Sequence, residues 1–302
     1  MKKKGILHTR NRHQGRYPFL ELFSKFPILK DFETLSPRGE QTLDFTNPKA
    51  VVCLNQVLLE NDYGIKNWSV PDGYLCPGVP GRADYIHHLA DLLSVSRNKI
   101  IPRGESIRIL DIGVGANGIY SLIGASEYDW SFIGSDIDQN ALDHLQNILN
   151  LNPKLKGKIQ LRRQSQSGSI FKGIIGEHEK FDATLCNPPF HSSAEEAREI
   201  NLKKWRNLGI AGVANFGGQS NELWCDGGEV QFVTQMIKES VCFKDKCHWF
   251  SSLVSKENSL ELLLLVLKRY LVNDYCVINL EQGQKKTRIL AWTFIGGKNK
   301  FQ

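Results

Sequence analysis

The sequence predicts an α/β protein in which a mainly parallel, seven-stranded sheet ends with an antiparallel strand and follows an irregular, partly helical N-terminal extension. Three observations lead to this prediction. From about residue 105 onward, short apolar strands alternate with helical patterns. Near the C-terminus two strand patterns are joined by a short polar turn, and 8 of the 11 prolines lie before residue 105.

The sheet is predicted from seven short segments. Five of them have the length and apolar content of buried parallel strands, at 107–112, 131–136, 158–162, 181–187 and 249–255. Helical patterns separate several of these strands, which indicates right-handed βαβ units. The last two strands, at 275–280 and 288–295, are joined only by a short polar turn, so they can pair only in the antiparallel direction.

Helices are predicted where a capping residue precedes apolar side chains at helical spacing. Asn47 and Pro48 supply an N-cap and a proline at the first helical position. The face that follows contains Val51, Leu54 and Leu58. Further helices are expected at about 84–93, after Asp138, around 232–237 and at 260–270.

The prolines divide the chain into two parts. Because proline interrupts helices and strands, the first third is expected to hold only short elements. We therefore place a basic N-terminal extension at residues 1–82 and the sheet domain at 83–302.

The net charge of +6 comes from the N-terminus. The chain has 38 Lys and Arg against 32 Asp and Glu, and the first 16 residues contain six bases and no acid. The remainder is balanced, because 38 − 6 leaves 32 bases against 32 acids. The six bases are Lys2, Lys3, Lys4, Arg10, Arg12 and Arg16.

Composition excludes several classes of protein. The longest apolar run, 262–267, is far shorter than the ~20 residues of a membrane span, and the polar segment 8–14 stands where a secretory signal would be apolar. Seven scattered cysteines without a C-x-x-C pair predict neither a disulfide framework nor a zinc site. We expect a cytoplasmic protein with reduced thiols.

A glycine-rich turn follows the first predicted strand. Asp111, Gly113 and Gly115 form a D-x-G-x-G motif, in which the glycines let the backbone approach a ligand closely. With Gly118 the same glycines also spell G-x-G-x-x-G, a dinucleotide-binding pattern. The acid before the glycines favours the first motif of S-adenosylmethionine-dependent methyltransferases, and a tight turn without a ligand is the alternative.

A carboxylate ends the second predicted strand. Asp136 follows the apolar segment 131–135, and a carboxylate there can accept both hydroxyls of a ribose. Such a carboxylate could bind the ribose of S-adenosylmethionine or of a dinucleotide, so it does not discriminate between the two cofactors. The alternative is that Asp136 or Asp138 caps the next helix, and for Asp138 we favour the cap.

The segment Asn187-Pro188-Pro189-Phe190 follows the fourth predicted strand and decides the class of chemistry. The lone pair of an exocyclic amine on a purine is delocalised, so the amine is a poor nucleophile. If the Asn187 side-chain oxygen and the Pro188 carbonyl accept its two hydrogens, the lone pair is freed to attack a sulfonium methyl group. The prolines stiffen this arrangement, and Phe190 offers a face on which an extruded base can stack.

Two nearby features are interpreted as surroundings of the pocket. The chemistry needs no strong base, so we assign His191 to a hydrogen-bonding wall. The glycine-rich segment 215–229 is predicted to be a substrate-facing loop that orders on binding, and an ordinary surface excursion is the alternative.

Basic segments suggest a nucleic-acid partner. A run of charge is usually a solvated face, but two acid-free basic runs, 1–16 and 154–172, fit a surface that follows phosphates. The N-terminal run is expected to be flexible until substrate binds. The other predicted RNA contacts are Arg162, Arg163, Lys203, Lys204 and Arg206.

At this point the chain resembles a family, the bacterial adenine-N6 methyltransferases of 23S ribosomal RNA, with a eukaryotic relative that acts on small nuclear RNA. The resemblance covers nearly the whole chain. The resemblance includes segments 43–45 and 215–218. N-P-P-F and D-x-G-x-G are shared with other methyltransferases, whereas the segments 8–12 and 80–87 are specific to this family.

The resemblance implies a class I Rossmann-like fold and S-adenosylmethionine as cofactor. We expect a monomer without metal or membrane contact. The implied partner is 23S ribosomal RNA, either free, as a precursor or in an assembling large subunit. Arg82 would contact the carboxylate of the methionine moiety, Asp136 the ribose and Asn187 the target amine. The other implied cofactor residues are Asp111, Gly113, Gly115, Asn117 and Gln166, the last at the adenine end.

Four alternatives remain open from the sequence. N-P-P-F-H also occurs in ribosomal RNA methyltransferases that act on guanine N2. A protein-glutamine methyltransferase would not need the basic runs, and N-P-P-F argues against a dehydrogenase. A non-catalytic RNA chaperone on the same fold would bind no cofactor.

Overall fold

A computed structural model describes residues 7–166, 168–196, 199, 220–282 and 285–296. Its main feature is a seven-stranded sheet with the order β5-β4-β3-β6-β7-β9-β8. The five strands from β3 to β7 are parallel, and β9 runs antiparallel to both β7 and β8. The predicted architecture is confirmed.

The strands lie within a few residues of their predicted positions. Their bounds are Arg108–Ile112 (β3), Ser131–Asp136 (β4), Ile159–Arg163 (β5), Phe181–Cys186 (β6), Cys247–Val254 (β7), Asp274–Gln282 (β8) and Lys285–Thr293 (β9). Because β4 and β6 lie on opposite sides of β3, the strand order reverses beside β3. Ligands of open α/β sheets bind at such a point, outside the carboxyl ends of the strands.

Helices cover the sheet and build the N-terminal part of the chain. Their bounds are Phe19–Lys25 (α1), Pro48–Tyr63 (α2), Val79–Val95 (α3), Ile119–Tyr128 (α4), Gln139–Asn150 (α5), Ser220–Leu223 (α6), Gly228–Ser240 (α7) and Glu257–Arg269 (α8). A small hairpin, Glu33–Leu35 (β1) and Gln41–Leu43 (β2), precedes α2.

The expectation of only short elements in the first third is wrong. Helices α2 and α3 have 16 and 17 residues. Pro48 and Pro80 each lie in the first turn, where the missing N–H would have no partner in the helix anyway. As predicted, the Asn47 side chain caps α2, by accepting a hydrogen bond from the Lys49 N–H.

Residues 7–16, which we call the N-terminal arm, are folded onto the helices, contrary to the expectation of a flexible segment. Asn11 is 2% exposed, and its amide donates to the Pro80 carbonyl and to the Asp84 carboxylate. The backbone N–H of His8 also donates to Asp84, at 2.7 Å. The arm is therefore a part of the fold that packs against the start of α3.

One apolar cluster joins the N-terminal helices to the sheet. It includes Leu58 on α2, Ile86 on α3, Ile109 on β3 and Trp249 on β7. The boundary predicted between residues 82 and 83 falls inside α3. All seven cysteines are free thiols, and none of the helices described is long and apolar enough to cross a membrane.

Candidate active site

A cavity lies at the carboxyl ends of the parallel strands, where the strand order reverses. The loop after β3 contributes Gly113, Gly115 and Asn117, the end of β4 contributes Asp136, and the segment after β6 contributes Asn187. These are five of the residues predicted to bind cofactor or substrate. Arg82, from the first turns of α3, also lines the cavity.

The glycine turn is held against the end of β4. The N–H groups of Gly113 and Val114 both donate to the Ser135 carbonyl, at 2.9 and 3.0 Å. Gly113 and Gly115 have φ angles of +68° and +65°, in the left-handed region that favours glycine. The turn therefore needs glycine for its conformation, and its backbone forms the floor of the cavity.

Asp111 does not line the cavity, although the motif predicts it among the cofactor residues. Its side chain is buried at the end of β3 and accepts a hydrogen bond from the Ser121 hydroxyl on α4 at 2.7 Å. Burial raises the pKa of Asp111 to about 7, against the effect of the Ser121 hydrogen bond and with a contribution from Asp136. Asp111 thus supports the turn by joining β3 to α4.

Asp136 faces both the glycine turn and the start of α5. One carboxylate oxygen accepts from the Gly115 N–H at 2.9 Å, and the other accepts from the Asp138 N–H at 3.0 Å. Burial raises its pKa, which these hydrogen bonds oppose. Each oxygen keeps a lone pair for a ligand hydroxyl. As predicted, Asp138 caps α5.

Two buried polar atoms of the cavity residues have no hydrogen-bond partner among the described residues. They are the side-chain oxygen of Asn187 and the hydroxyl oxygen of Tyr120. The Arg82 guanidinium lies 5.6 Å from the centre of the Tyr120 ring and forms no salt bridge with the part of the chain described here. Because buried polar groups are normally paired, these atoms indicate a site shaped for a ligand.

Several cavity residues differ from the sequence prediction. Gln166 was expected at the adenine end, but Gln164 lines the cavity instead. Gln164 ends the extended chain after β5, and its side chain holds the following loop through the Ile170 and Lys172 carbonyls. Pro189 lines the cavity, whereas its neighbours Pro188 and Phe190 do not.

Tyr120 and Glu222 also line the cavity, although no sequence motif predicts either residue there. Tyr120 reads in the sequence as an apolar residue of a helix, and Glu222 as one polar residue after a glycine-rich segment. No local signal marks either one, because Tyr120 reaches the cavity through the packing of α4 on the sheet and Glu222 through the hydrogen bonds of α6 to Leu75 and His191.

His191 joins the N-P-P-F segment to the chain before α7. Its N–H donates to the Leu223 carbonyl and its carbonyl accepts from the Cys225 N–H, at 3.0 and 3.1 Å. Burial lowers the pKa of its imidazole. Residues 215–219 of the predicted substrate-facing loop lie outside the described residues, whereas 220–229 include α6 and the start of α7.

The predicted RNA contacts have different surroundings. Arg10, Arg12 and Arg16 form salt bridges with Asp91, Glu127 and Glu40. Arg162 holds Glu179 through two nitrogen–oxygen pairs, at 2.5 and 2.8 Å, whereas Arg163 is exposed. Outside the described residues lie Lys2, Lys3, Lys4, Lys203, Lys204 and Arg206.

The chain is similar to RNA methyltransferases along its length. A family model described as RNA methyltransferase matches residues 1–296. Ribosomal RNA large subunit methyltransferase F of Escherichia coli (strain SMS-3-5 / SECEC) is 51% identical over 300 residues, covering 99% of this chain and 96% of the relative.

Two solved structures of RNA-related methyltransferase domains are also similar to the chain. The catalytic domain of human METTL16, in complex with the MAT2A 3′UTR hairpin 1, matches with a TM-score of 0.82 and 29% identity over 96% of both chains. The N-terminal domain of human METTL16 in complex with S-adenosylhomocysteine (SAH) matches with a TM-score of 0.76 and 28% identity, over 96% of this chain and 99% of the other. The chain belongs to the RNA methyltransferase family.

Proposed function

We propose that this protein transfers a methyl group from S-adenosylmethionine to the N6 amine of one adenine in 23S ribosomal RNA. The observation that carries the proposal is the unpartnered side-chain oxygen of Asn187, buried beside the glycine turn. A hydrogen-bond acceptor without a donor among the described residues, next to a cofactor cavity, fits a substrate that brings an N–H group. The relatives named for ribosomal RNA support the choice of RNA.

The cavity residues fit the cofactor. Arg82 supplies a cation for its carboxylate, Asp136 a carboxylate for its ribose hydroxyls, and the glycine turn a backbone close to both. When bound, S-adenosylmethionine supplies the electrophilic methyl group. A structural relative holds the product form of this cofactor.

The N-P-P-F segment would prepare the amine for attack. Asn187 Oδ1 and the Pro188 carbonyl each accept one amine hydrogen, which turns the nitrogen lone pair toward the methyl group. The new N–C bond forms as the S–C bond breaks, and the sulfur keeps the bonding electron pair. The proton that the nitrogen then loses passes to solvent, so His191 is not needed as a base.

The RNA would approach from the side of the N-P-P-F segment. Arg163, exposed at the end of β5, and Lys203, Lys204 and Arg206 are the proposed phosphate contacts. Arg10 and Arg12 act in this proposal mainly through the fold, since Asp91 and Glu127 already bind them. The extension 1–82 and the sheet domain would form one RNA-binding surface, acting in the cytoplasm.

The direct test is methylation in vitro. The protein is incubated with labelled S-adenosylmethionine and large-subunit RNA from a strain that lacks the gene, and the labelled nucleoside is identified by mass spectrometry. N6-methyladenosine at one position is the expected product. N2-methylguanosine would establish the guanine alternative, and a protein that binds no cofactor would establish the chaperone alternative.

The form of the substrate is tested in the same assay. Free RNA, precursor RNA and assembling large subunits are offered at equal concentration, and the initial rates are compared. The substrate with the highest kcat/KM identifies the stage at which the enzyme acts.

A further inference from the structure

Glu222 is an acidic cavity residue to which neither the motifs nor the family description gives a role. It lies on α6, and one of its carboxylate oxygens accepts a hydrogen bond from the Leu75 N–H at 3.0 Å. The other oxygen faces the glycine turn, because a Cβ atom built on Gly115 would lie 3.5 Å from it. Glu222 therefore connects two walls of the cavity.

Hydrogen bonds fix both the backbone next to Glu222 and the segment that contains its partner Leu75. The next residue, Leu223, accepts a hydrogen bond from the N–H of His191, which directly follows the N-P-P-F segment. On the opposite wall, the hydroxyl of Tyr74 donates to Asp138 at 2.7 Å. The carboxylate is thus held in place rather than extended into solvent, as a binding group must be.

Among the described residues, the charged side chains that line the cavity match the charges of the cofactor. They are the cation of Arg82 and the carboxylates of Asp136 and Glu222. The amino-acid end of the cofactor carries a carboxylate and an ammonium group on the same carbon atom. If Arg82 binds the carboxylate and Asp136 the ribose, Glu222 is the carboxylate of this set that remains for the ammonium group.

Position supports the same pairing. Leu75, which holds Glu222, and Pro77 belong to the segment that leads into α3, and both line the cavity together with Arg82 of that helix. The Glu222 oxygen that faces Gly115 lies beside the glycine turn, on the cavity that Arg82 also lines. Arg82 and Glu222 would therefore bind the two charged groups of one carbon atom.

We propose that Glu222 binds the α-ammonium group of the cofactor through the carboxylate oxygen that faces Gly115. The inference rests on the proposed function only for the identity of the cofactor. The N–H of His191 donates a hydrogen bond to Leu223 of α6. The ammonium contact would therefore connect the bound cofactor with the segment that receives the RNA base.

The test compares two ligands that differ in one group. Calorimetry measures the affinity of the full chain for SAH and for its deaminated analogue, in which a hydrogen atom replaces the ammonium group. The variant is Glu222→Gln, whose side-chain carbonyl can still accept from the Leu75 N–H while the charge is lost. Glu261→Gln, an exposed change on α8, is the matched control.

The expected result is selective. Charge-assisted hydrogen bonds are about twice as strong as neutral ones, so Glu222→Gln should weaken SAH binding on the order of tenfold. Binding of the deaminated analogue should stay within about twofold of the unmodified protein, since the analogue lacks the ammonium group that the charge would bind. Glu261→Gln should change neither affinity.

Two results would overturn the proposal. Equal weakening of both ligands would mean that Glu222 only shapes the wall, and unchanged SAH affinity would mean that it does not contact the ammonium group. The measurement contains no RNA, so an error in the proposed target base leaves it unaffected. If the unmodified protein binds no SAH, the cofactor assignment itself fails, and the role of Glu222 fails with it.

Discussion

Two aspartates, the half-exposed Asp91 under the N-terminal arm and the buried Asp111 under the glycine turn, differ in how the chain surrounds a carboxylate. Burial by itself would raise the pKa of Asp91, but hydrogen bonds from His8 and Arg10 lower it. Asp111 has only the Ser121 hydroxyl as a side-chain partner among the described residues, and burial raises its pKa to about 7.

A similar contrast separates two arginines of the arm from two oxygens of the cavity. The guanidinium groups of Arg10 and Arg12 in the arm are bound by Asp91 and Glu127, so their charges stabilise the fold. In the cavity, the oxygens of Asn187 and Tyr120 stay without a partner among the described residues. The paired arginines indicate a structural role, whereas the two unpaired oxygens, which belong to residues lining a cavity, indicate a ligand.

The largest effect is expected for Asn187→Ala, which removes the unpaired acceptor. Loss of one preorganised hydrogen-bonding group lowers kcat on the order of 10³-fold, while SAH affinity should stay within a few-fold because other residues hold the cofactor. Single-turnover methyl transfer and calorimetry measure the two quantities. A variant with nearly normal kcat would show that the acceptor is not used.

The next effect is a pH dependence of stability caused by Asp111. Its pKa is raised from about 4 in the unfolded chain to about 7, so the folded state binds the proton more tightly and stability falls as pH rises through this range. The variant Asp111→Asn has no ionisable group at this position. Between pH 4 and 7 the native protein should lose about 3 kcal/mol relative to this variant.

Denaturant unfolding of both proteins at several pH values checks the Asp111 prediction. The amide keeps the volume of the side chain and can still accept from Ser121. Parallel stability curves for the two proteins would mean that Asp111 is ionised in the folded state near pH 5. The predicted difference in pKa between Asp111 and Asp91 would then be wrong.

A smaller effect is expected when the arm loses one of its paired cations. Arg10→Ala removes hydrogen bonds to Asp91, Tyr128 and the His87 carbonyl, and should lower the free energy of unfolding by about 2 kcal/mol. Arg163→Ala, which changes an exposed arginine, should stay within about 0.5 kcal/mol. If both variants lost the same free energy of unfolding, Arg10 would be no more important for the fold than the exposed Arg163.

The smallest change concerns RNA binding by the lysines before the arm. Replacing Lys2, Lys3 and Lys4 with alanine should flatten the log–log salt dependence of RNA affinity by about 2 to 3 units at most and leave thermal stability unchanged. These residues lie outside the described part of the chain. Binding titrations between about 50 and 200 mM salt measure the slope, and an unchanged slope would exclude them as phosphate contacts.

Local sequence patterns predicted the sheet well. Strand β4 has the predicted bounds, and β3, β6 and β7 differ by one or two residues at their ends. Buried strands of a parallel sheet are short apolar runs bounded by turns, so their positions can be read from the sequence. The same holds for the glycine turn, whose residues need a left-handed backbone.

The N-terminal part was predicted less well because its prolines were interpreted without their positions. Proline ends a helix when it stands in the interior, but Pro48 and Pro80 stand in first turns. The basic arm was expected to be flexible because the acids that pair with it, such as Asp91 and Glu127, are about 80 to 115 residues away in sequence.

The sequence by itself determined the fold class, the order of the strands along the chain, and the residues at the strand ends that form the cavity. These depend on local spacing, which the chain carries within each segment. Tertiary structure alone decided that Asp111 and Arg10 have structural surroundings and that Tyr120 and Glu222 reach the cavity. Whether a polar group is paired or left for a ligand depends on distant partners, and those meet only when the chain folds.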